Sequence, residues 1–399
     1  RQRQMCIRDS MNQHKKSLSK SPLIGAAFLM ATSAIGPGFL TQTATFTNTL
    51  FASFGFVILI SVLLDIGAQL NIWRILSATG MRAQDLANQV VPGAGQLLTL
   101  LIVIGGLAFN AGNLAGAGLG LEVLTGVSPK YGALISAGLA LLLFYSKNSL
   151  SLIDQFAKWM GIIMIGLTLY VVFVAQPPLL EAGYRTIVPE KIDVKAIITL
   201  VGGTVGGYIS FAGAHRLLDA GIVGTAYRKE VNRSAISAIL LASLMRVLLF
   251  LAALGVVAKG ISLTSTNPAA SVFQLAVGWI GYKLFGIVMW CAAITSIVGS
   301  AYTSISFISL PALQSPTIKN KWLTAFVIIS LCIFVFFNNP VQLLIAAGAL
   351  NGFILPVALL LVLIATYRTK IMGNYKHPLA LKIIGIIVIA ATLWLSGMT

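Results

Sequence analysis

The sequence predicts an all-α polytopic membrane protein of about eleven transmembrane helices. It is organised as two inverted repeats of five plus one further span, with the first and sixth helices broken. Three observations predict this. The 399 residues are 57% hydrophobic and only 9% charged, with a mean hydropathy of +0.92, whereas soluble domains run near a quarter charged. That excludes a soluble enzyme or nucleic-acid binder. Apolar runs long enough for a bilayer core, about 20 residues each, recur at 22–49, 53–76, 97–124, 131–146, 157–175, 195–218, 235–258, 280–305, 322–338, 341–367 and 379–397. Two of them, five spans apart, are interrupted by helix-breaking residues, the pattern of paired repeats around a transport site.

Residues 1–10 match nothing downstream and read as a non-native scar, with Met11 the expected start. Residues 11–21 are then a cytoplasmic amino terminus, 22–175 the first repeat, 195–367 the second and 379–397 the last span. The gaps 77–96, 176–194, 219–234 and 259–279 carry the Pro, Gly, Asn and charged residues of loops. The first span contains Ile35-Gly36-Pro37-Gly38 and then a polar run from Thr41 to Thr49. Unpaired backbone groups cost several kcal/mol in hydrocarbon, so such a segment must face protein or a water-filled cavity. Gln42, Thr45, Thr47 and Asn48 are therefore candidate substrate contacts.

The second span places Asp65 one helical turn before Gln69, on the same face. An intramembrane acid is costly, and Asp65 is either a proton carrier or half of a structural ion pair. The third span carries Asn110, Asn113, Gly116, Gly118 and Gly120, which fit tight packing or a polar cavity wall. In the sixth span Gly202-Gly203-Thr204-Val205-Gly206-Gly207-Tyr208 holds four glycines. This makes Gly206, Gly207 and Tyr208 candidate substrate contacts, unless the glycines serve only close helix packing. Arg246 is the second intramembrane charge, in the seventh span. Cys291 and Cys332 stand alone in apolar runs and support neither a disulfide framework nor a zinc site.

Lys and Arg set the expected orientation. With the amino terminus in the cytoplasm, 17 of them fall inside and 6 outside, as positive-inside topology requires. The chain then lies in the inner or plasma membrane with its carboxyl terminus outside. The basic excess calls for no nucleic acid; the expected partners are the lipid bilayer and a small ionic substrate, with no obligate protein partner evident.

The order Gly36-Pro37-Gly38-Phe39-Leu40, Gln69 and Arg74 followed by Thr79-Gly80 and Asp85-Leu86-Ala87, Leu284-Phe285-Gly286 leading to Gly299-Ser300, then Leu355-Pro356 and Met372-Gly373, resembles the NRAMP family of proton-coupled divalent metal transporters. The resemblance implies eleven helices in the inverted-repeat fold shared with amino-acid and cation symporters (LeuT-like), with substrate held between the broken first and sixth helices. It implies metal-ion symport by alternating access, with no cofactor beyond a coupling H⁺ or Na⁺. Related symporters of this fold place Na⁺ against eighth-helix hydroxyls, here Thr295, Ser296 and Ser300, whose other expected fate is hydrogen bonding to backbone.

The family's chemistry departs from this chain at several positions. Its first-span Asp-Pro-Gly-Asn is expected on Thr47-Asn48-Thr49-Leu50 and its sixth-span Met-Pro-His on Gly206-Gly207-Tyr208. Its third-span acids fall on Asn110 and Asn113, and its tenth-span Gln on Gly348. Neutral oxygens then remain, suited to a partly hydrated hard cation such as Mg²⁺. The other reading is H⁺- or Na⁺-coupled symport of a small organic acid or amino acid, because half-helix starts offer bare N–H groups to a carboxylate. Small residues at Gly206, Gly207 and Gly348 would make room for such a solute. No nucleophile and base pair marks an enzyme, and a channel or non-transporting sensor on the same fold is the second functional class.

Overall fold

The computed structural model describes residues 21–145, 149–310 and 315–398; the expected scar, the Met11 start and the segment up to residue 20 lie outside them. The first span is two half-helices, α1 (Ser21–Ala34) and α2 (Pro37–Leu50), separated at Ile35-Gly36. Pro37 suits the first position of α2, where its missing N–H is no loss, and Gly36 before it is extended. A 3₁₀ turn, Phe51–Ser53, leads into α3 (Phe54–Thr79), followed by α4 (Ala83–Val90), α5 (Ala94–Thr125), α6 (Pro129–Tyr145) and α7 (Ser149–Ala175).

The second half runs α8 (Leu179–Ile187), α9 (Val194–Thr204), α10 (Ile209–Asp219), α11 (Arg228–Val257), α12 (Pro268–Ile305), α13 (Pro316–Phe337), α14 (Pro340–Ala365), α15 (Thr369–Met372) and α16 (Leu379–Gly397). Helices α9 and α10 are the halves of the sixth span, parted at Val205–Tyr208. Among the described residues, eight stretches are long and apolar enough to cross a bilayer, or nine if the bent pair Gly161–Ala175 and Leu179–Ile187 counts as one. Pro37–Thr79 holds two passes. Ser53 at its midpoint meets the α8 end through the Glu190 N–H at 3.0 Å, while Ser77 at its far end bonds the Ile222 carbonyl beyond α10 at 3.0 Å. The shorter apolar helices Leu23–Ala34 and Pro129–Tyr145 come in addition, so the spans found by length and composition alone fall short of the eleven expected.

Two stretches expected to be loops contain helices. Helix α4 lies in 77–96, and α8 lies in 176–194 at 108° to the end of α7. Both are short and two-faced, which a search for long apolar runs passes over. Helix α12 starts at Pro268 rather than near 280. The Asn267 side chain caps it by accepting the Ala270 N–H, and Gly278 at φ 75° kinks it where the span proper begins. Helix α5 is the hub of the bundle. A side chain at Gly116 would strike Pro37, one at Gly118 the backbone of Pro129, and one at Gly120 the backbone of Trp290, so these glycines let α2, α6 and α12 close onto α5.

Candidate functional site

Helix α2 begins in mid-span, and its N-cap Gly36 supplies no side-chain bond. Pro37 has no N–H and the Leu40 N–H returns to the Gly36 carbonyl. The first-turn amides of Gly38 and Phe39 are thus the bare donors that every helix start leaves over. Two side chains from other helices converge on Gly36: Ser296 Oγ of α12 and Asn113 Oδ1 of α5 lie 3.0 and 3.3 Å from where a Cβ would stand. Asn113 is fully buried, and neither its oxygen nor its nitrogen has a hydrogen-bond partner.

The sixth-span break places Tyr208 against the same group. Its ring meets Phe109 edge-on at 5.6 Å. Its hydroxyl faces Asn113 and Ser300 without completing a hydrogen bond. Ser300 donates to Asn110 Oδ1 at 2.8 Å, leaving Asn110 Nδ2 free. Ser296 donates to the Thr32 carbonyl at 3.3 Å. The structure therefore joins Gly36, Asn110, Asn113, Tyr208, Ser296 and Ser300 in one buried polar group. Such unpartnered atoms are uncommon in native interiors, and their clustering at two helix breaks makes this the candidate site.

The first span breaks at Ile35-Gly36 rather than near Thr47–Leu50, and Pro37-Gly38, flanked by Gly36 and Phe39, opens the second half-helix. Thr47–Leu50 are instead the last turns of α2. Thr47 Oγ1 donates to the Thr43 carbonyl at 2.7 Å, and Asn48 Oδ1 accepts from the Leu263 N–H at 3.4 Å. Thr45 and Asn48 line a separate vestibule with Glu122, Thr264 and Gln342. The polarity of 41–49 hid this, because it drew attention away from the weaker Gly-Pro-Gly signal.

Gln42 lies between the two regions. Its Nε2 donates to the Leu344 carbonyl at 3.0 Å, and its free Oε1 faces Gly203, 2.8 Å from the place of a Cβ. The expected space at Gly206, Gly207 and Gly348 is absent. A side chain at Gly206 would meet the Asn351 backbone, one at Gly207 would collide with Asn351 Oδ1, and one at Gly348 would strike Gln42 Nε2. Close packing against α14 is what these glycines provide. Asn351, missed by sequence reading, supplies the tenth-span amide; it donates to the Gly105 and Ala347 carbonyls at 3.1 and 2.8 Å and keeps Oδ1 unpartnered.

The two intramembrane charges come together. Asp65 of α3 neighbours Arg246 of α11 and Thr204 at the end of α9. Arg246 Nη1 donates to Thr204 Oγ1 at 2.8 Å, and its guanidinium lies 4.0 Å over the Phe39 ring. Arg246 Nε and Nη2, and both Asp65 oxygens, have no hydrogen-bond partner. Gln69 does not join them; it donates to the Ala235 carbonyl at 3.0 Å. Thr295 donates to the Ala292 carbonyl at 2.9 Å in an apolar cavity also lined by Thr32, Ile35, Met245 and Cys291. His215 is buried against Phe307 with ring centroids 4.8 Å apart.

A family model described as natural resistance-associated macrophage protein-like matches residues 27–399. An uncharacterized membrane protein of Haemophilus influenzae is 57% identical over 383 residues, 95% of this chain and 96% of that one. Among solved structures, an Eremococcus coleocola manganese transporter in complex with an aromatic bis-isothiourea compound superposes with TM-score 0.73 at 16% identity, covering 96% of this chain and 87% of its own. MhsT in complex with L-phenylalanine superposes with TM-score 0.64 at 14% identity, covering 94% and 98%.

Proposed function

The chain belongs to the natural resistance-associated macrophage protein-like (Nramp) family of membrane transporters, and from that premise we propose that it is an ion-coupled symporter whose cargo is a small carboxylate-bearing solute. The observation that carries this reading is the chemistry of the group around Gly36: amides, hydroxyls and bare helix-start N–H groups, with no acid among them. Among the described residues no cluster of three or more His, Cys, Asp or Glu exists to hold a metal ion.

A divalent cation stripped of water in a low-dielectric cavity needs anionic ligands or a full oxygen cage. On the family resemblance, the positions of its acidic and thioether ligands would hold Gly36 and Gly206, and Arg246 stacks on Phe39 in the first turn of α2. A carboxylate is the complement of these features: the positive end of the α2 dipole and the free N–H groups favour it, and Asn113 Nδ2 and the Tyr208 hydroxyl add donors. The fold itself admits both cargo classes, since the manganese transporter and MhsT share it; the lining residues favour the carboxylate. Alternating access would then open the site to either side by moving the half-helices around the two breaks.

The test is thermal unfolding of the purified protein with a panel of monocarboxylates, dicarboxylates, amino acids, Mn²⁺ and Mg²⁺. A saturable rise in Tm with one carboxylate class and none with either metal is expected. Stabilisation by micromolar Mn²⁺, with no carboxylate effect, would overturn the reading.

A further inference from the structure

Arg246 and Asp65 are a buried pair left half-made. Arg246 is 2% and Asp65 1% exposed, so each carries the cost of a charge taken out of water. Nevertheless the ion pairs closed to within 4 Å among the described residues are Arg82–Asp219 and Arg185–Glu190, not this one. The guanidinium is fixed at one corner by Thr204 Oγ1 at 2.8 Å and on one face by Phe39 at 4.0 Å. Its remaining edge, Nε and Nη2, is the edge that grips both oxygens of a carboxylate, and that edge is free, as are both oxygens of Asp65. A rigidly mounted fork with an open bidentate edge is a carboxylate receptor, and Asp65 is the carboxylate the protein itself holds beside it.

We infer that Arg246 is the clamp for the cargo's carboxylate, and that Asp65 is the internal anion that competes for it and carries the coupled proton. The inference rests on the carboxylate reading above and assigns its anion subsite. Position supports it: Phe39, under the guanidinium, belongs to the same first turn of α2 whose amides are bare, and Thr204 is the last residue of α9 before the sixth-span break. Among the described residues Arg246 is the one charged group acting on Asp65, and the other helices against α3 contribute the Thr204 hydroxyl there and no further charge. When cargo enters as an anion and takes the Nε/Nη2 edge, Asp65 loses its counter-charge and takes one proton on a carboxylate oxygen. When cargo leaves, Asp65 releases that proton and turns back to Arg246. One carboxylate and one proton cross together, and no other bond is made or broken.

The test is proteoliposome uptake of the carboxylate that most stabilises the wild type, comparing Asp65→Asn, Arg246→Lys and Thr204→Val with and without an inward proton gradient. Competition predicts opposite movements. Asp65→Asn removes the competitor, so KM falls severalfold while the gradient no longer accelerates uptake. Arg246→Lys keeps the charge but loses the fork, so KM rises at least tenfold; Thr204→Val, which frees one corner of the fork, raises it less. A merely structural pair moves Asp65→Asn and Arg246→Lys the same way, and that result, or retained gradient drive in Asp65→Asn, overturns the inference. If Arg246→Lys fails to fold, the direction of the Asp65→Asn and Thr204→Val shifts decides. Wild-type protein that takes up no carboxylate under any gradient overturns the cargo reading itself.

Discussion

Asn113 is fully buried with its oxygen and both donors of its amide unsatisfied, an arrangement that costs about 1–3 kcal/mol per stranded group. The proposed contact with cargo would account for that cost. Asn113→Leu, close in size and free of polar atoms, is expected to raise the unfolding free energy by about 1 kcal/mol while uptake falls at least tenfold; thermal unfolding and uptake measured on the same preparation check both. Gly207 is the opposite case. It sits at φ 52° with Asn351 Oδ1 filling the space beside it, so Gly207→Ala is expected to destabilise by about 1–3 kcal/mol, read from the denaturant midpoint. Tyr208 and Asn113 were legible in the sequence because a polar residue in an apolar run has few reasons to be there. Gly36 and Phe39 were not singled out because glycine and phenylalanine are ordinary in a membrane helix, and only the backbone break shows that they open the second half-helix. Asp65 and Arg246 were each conspicuous, but nothing in their spacing said that α3 and α11 bring them together.

Among the helices, α3 is tied to the segment that precedes α16 by a chain of hydrogen bonds at one end of the bundle. Arg74 Nε donates to the Tyr375 hydroxyl at 2.7 Å, Tyr375 meets His377 Nδ1 at 3.1 Å, and His377 Nε2 meets Asn71 Oδ1 at 2.9 Å. With Tyr375 donating onward, His377 must be neutral and carry its proton on Nε2. Burial, with the Arg74 and Lys382 charges, pushes this imidazole down to about 4, against about 6.5 in an unfolded chain. The unfolded state therefore binds the proton first, so the stability this histidine contributes is intact above pH 6.5 and is lost as pH falls towards 4. The Tm of the wild type is expected to drop across that window more steeply than that of His377→Gln, followed by thermal unfolding at half-unit pH steps. Long apolar helices such as α5 and α11 were evident from hydropathy, whereas α4 and α8 were not. Their apolar residues occupy one face of eight or nine positions, too short a run for a span and too mixed in composition to stand apart from loop sequence.

For the whole molecule, the breaks at Ile35-Gly36 and Val205–Tyr208 divide corresponding spans of two five-helix halves, and that symmetry was visible in the sequence as two interruptions five spans apart. The distribution of Lys and Arg, 17 on one side and 6 on the other, predicts a cytoplasmic amino terminus and an external carboxyl terminus. A protease-sensitive tag after Thr399 is expected to be cleaved from outside intact cells, and protection of that tag would reverse the orientation. The proposed carboxylate cargo rests on what the described residues present at the breaks: amides, hydroxyls and one arginine. The most direct measurement is uptake into proteoliposomes of labelled small carboxylates and of Mn²⁺, side by side, under an inward proton gradient. Saturable carboxylate uptake, competed by other carboxylates and indifferent to Mn²⁺, is the predicted result. Saturable, proton-driven Mn²⁺ uptake with no carboxylate transport would contradict it.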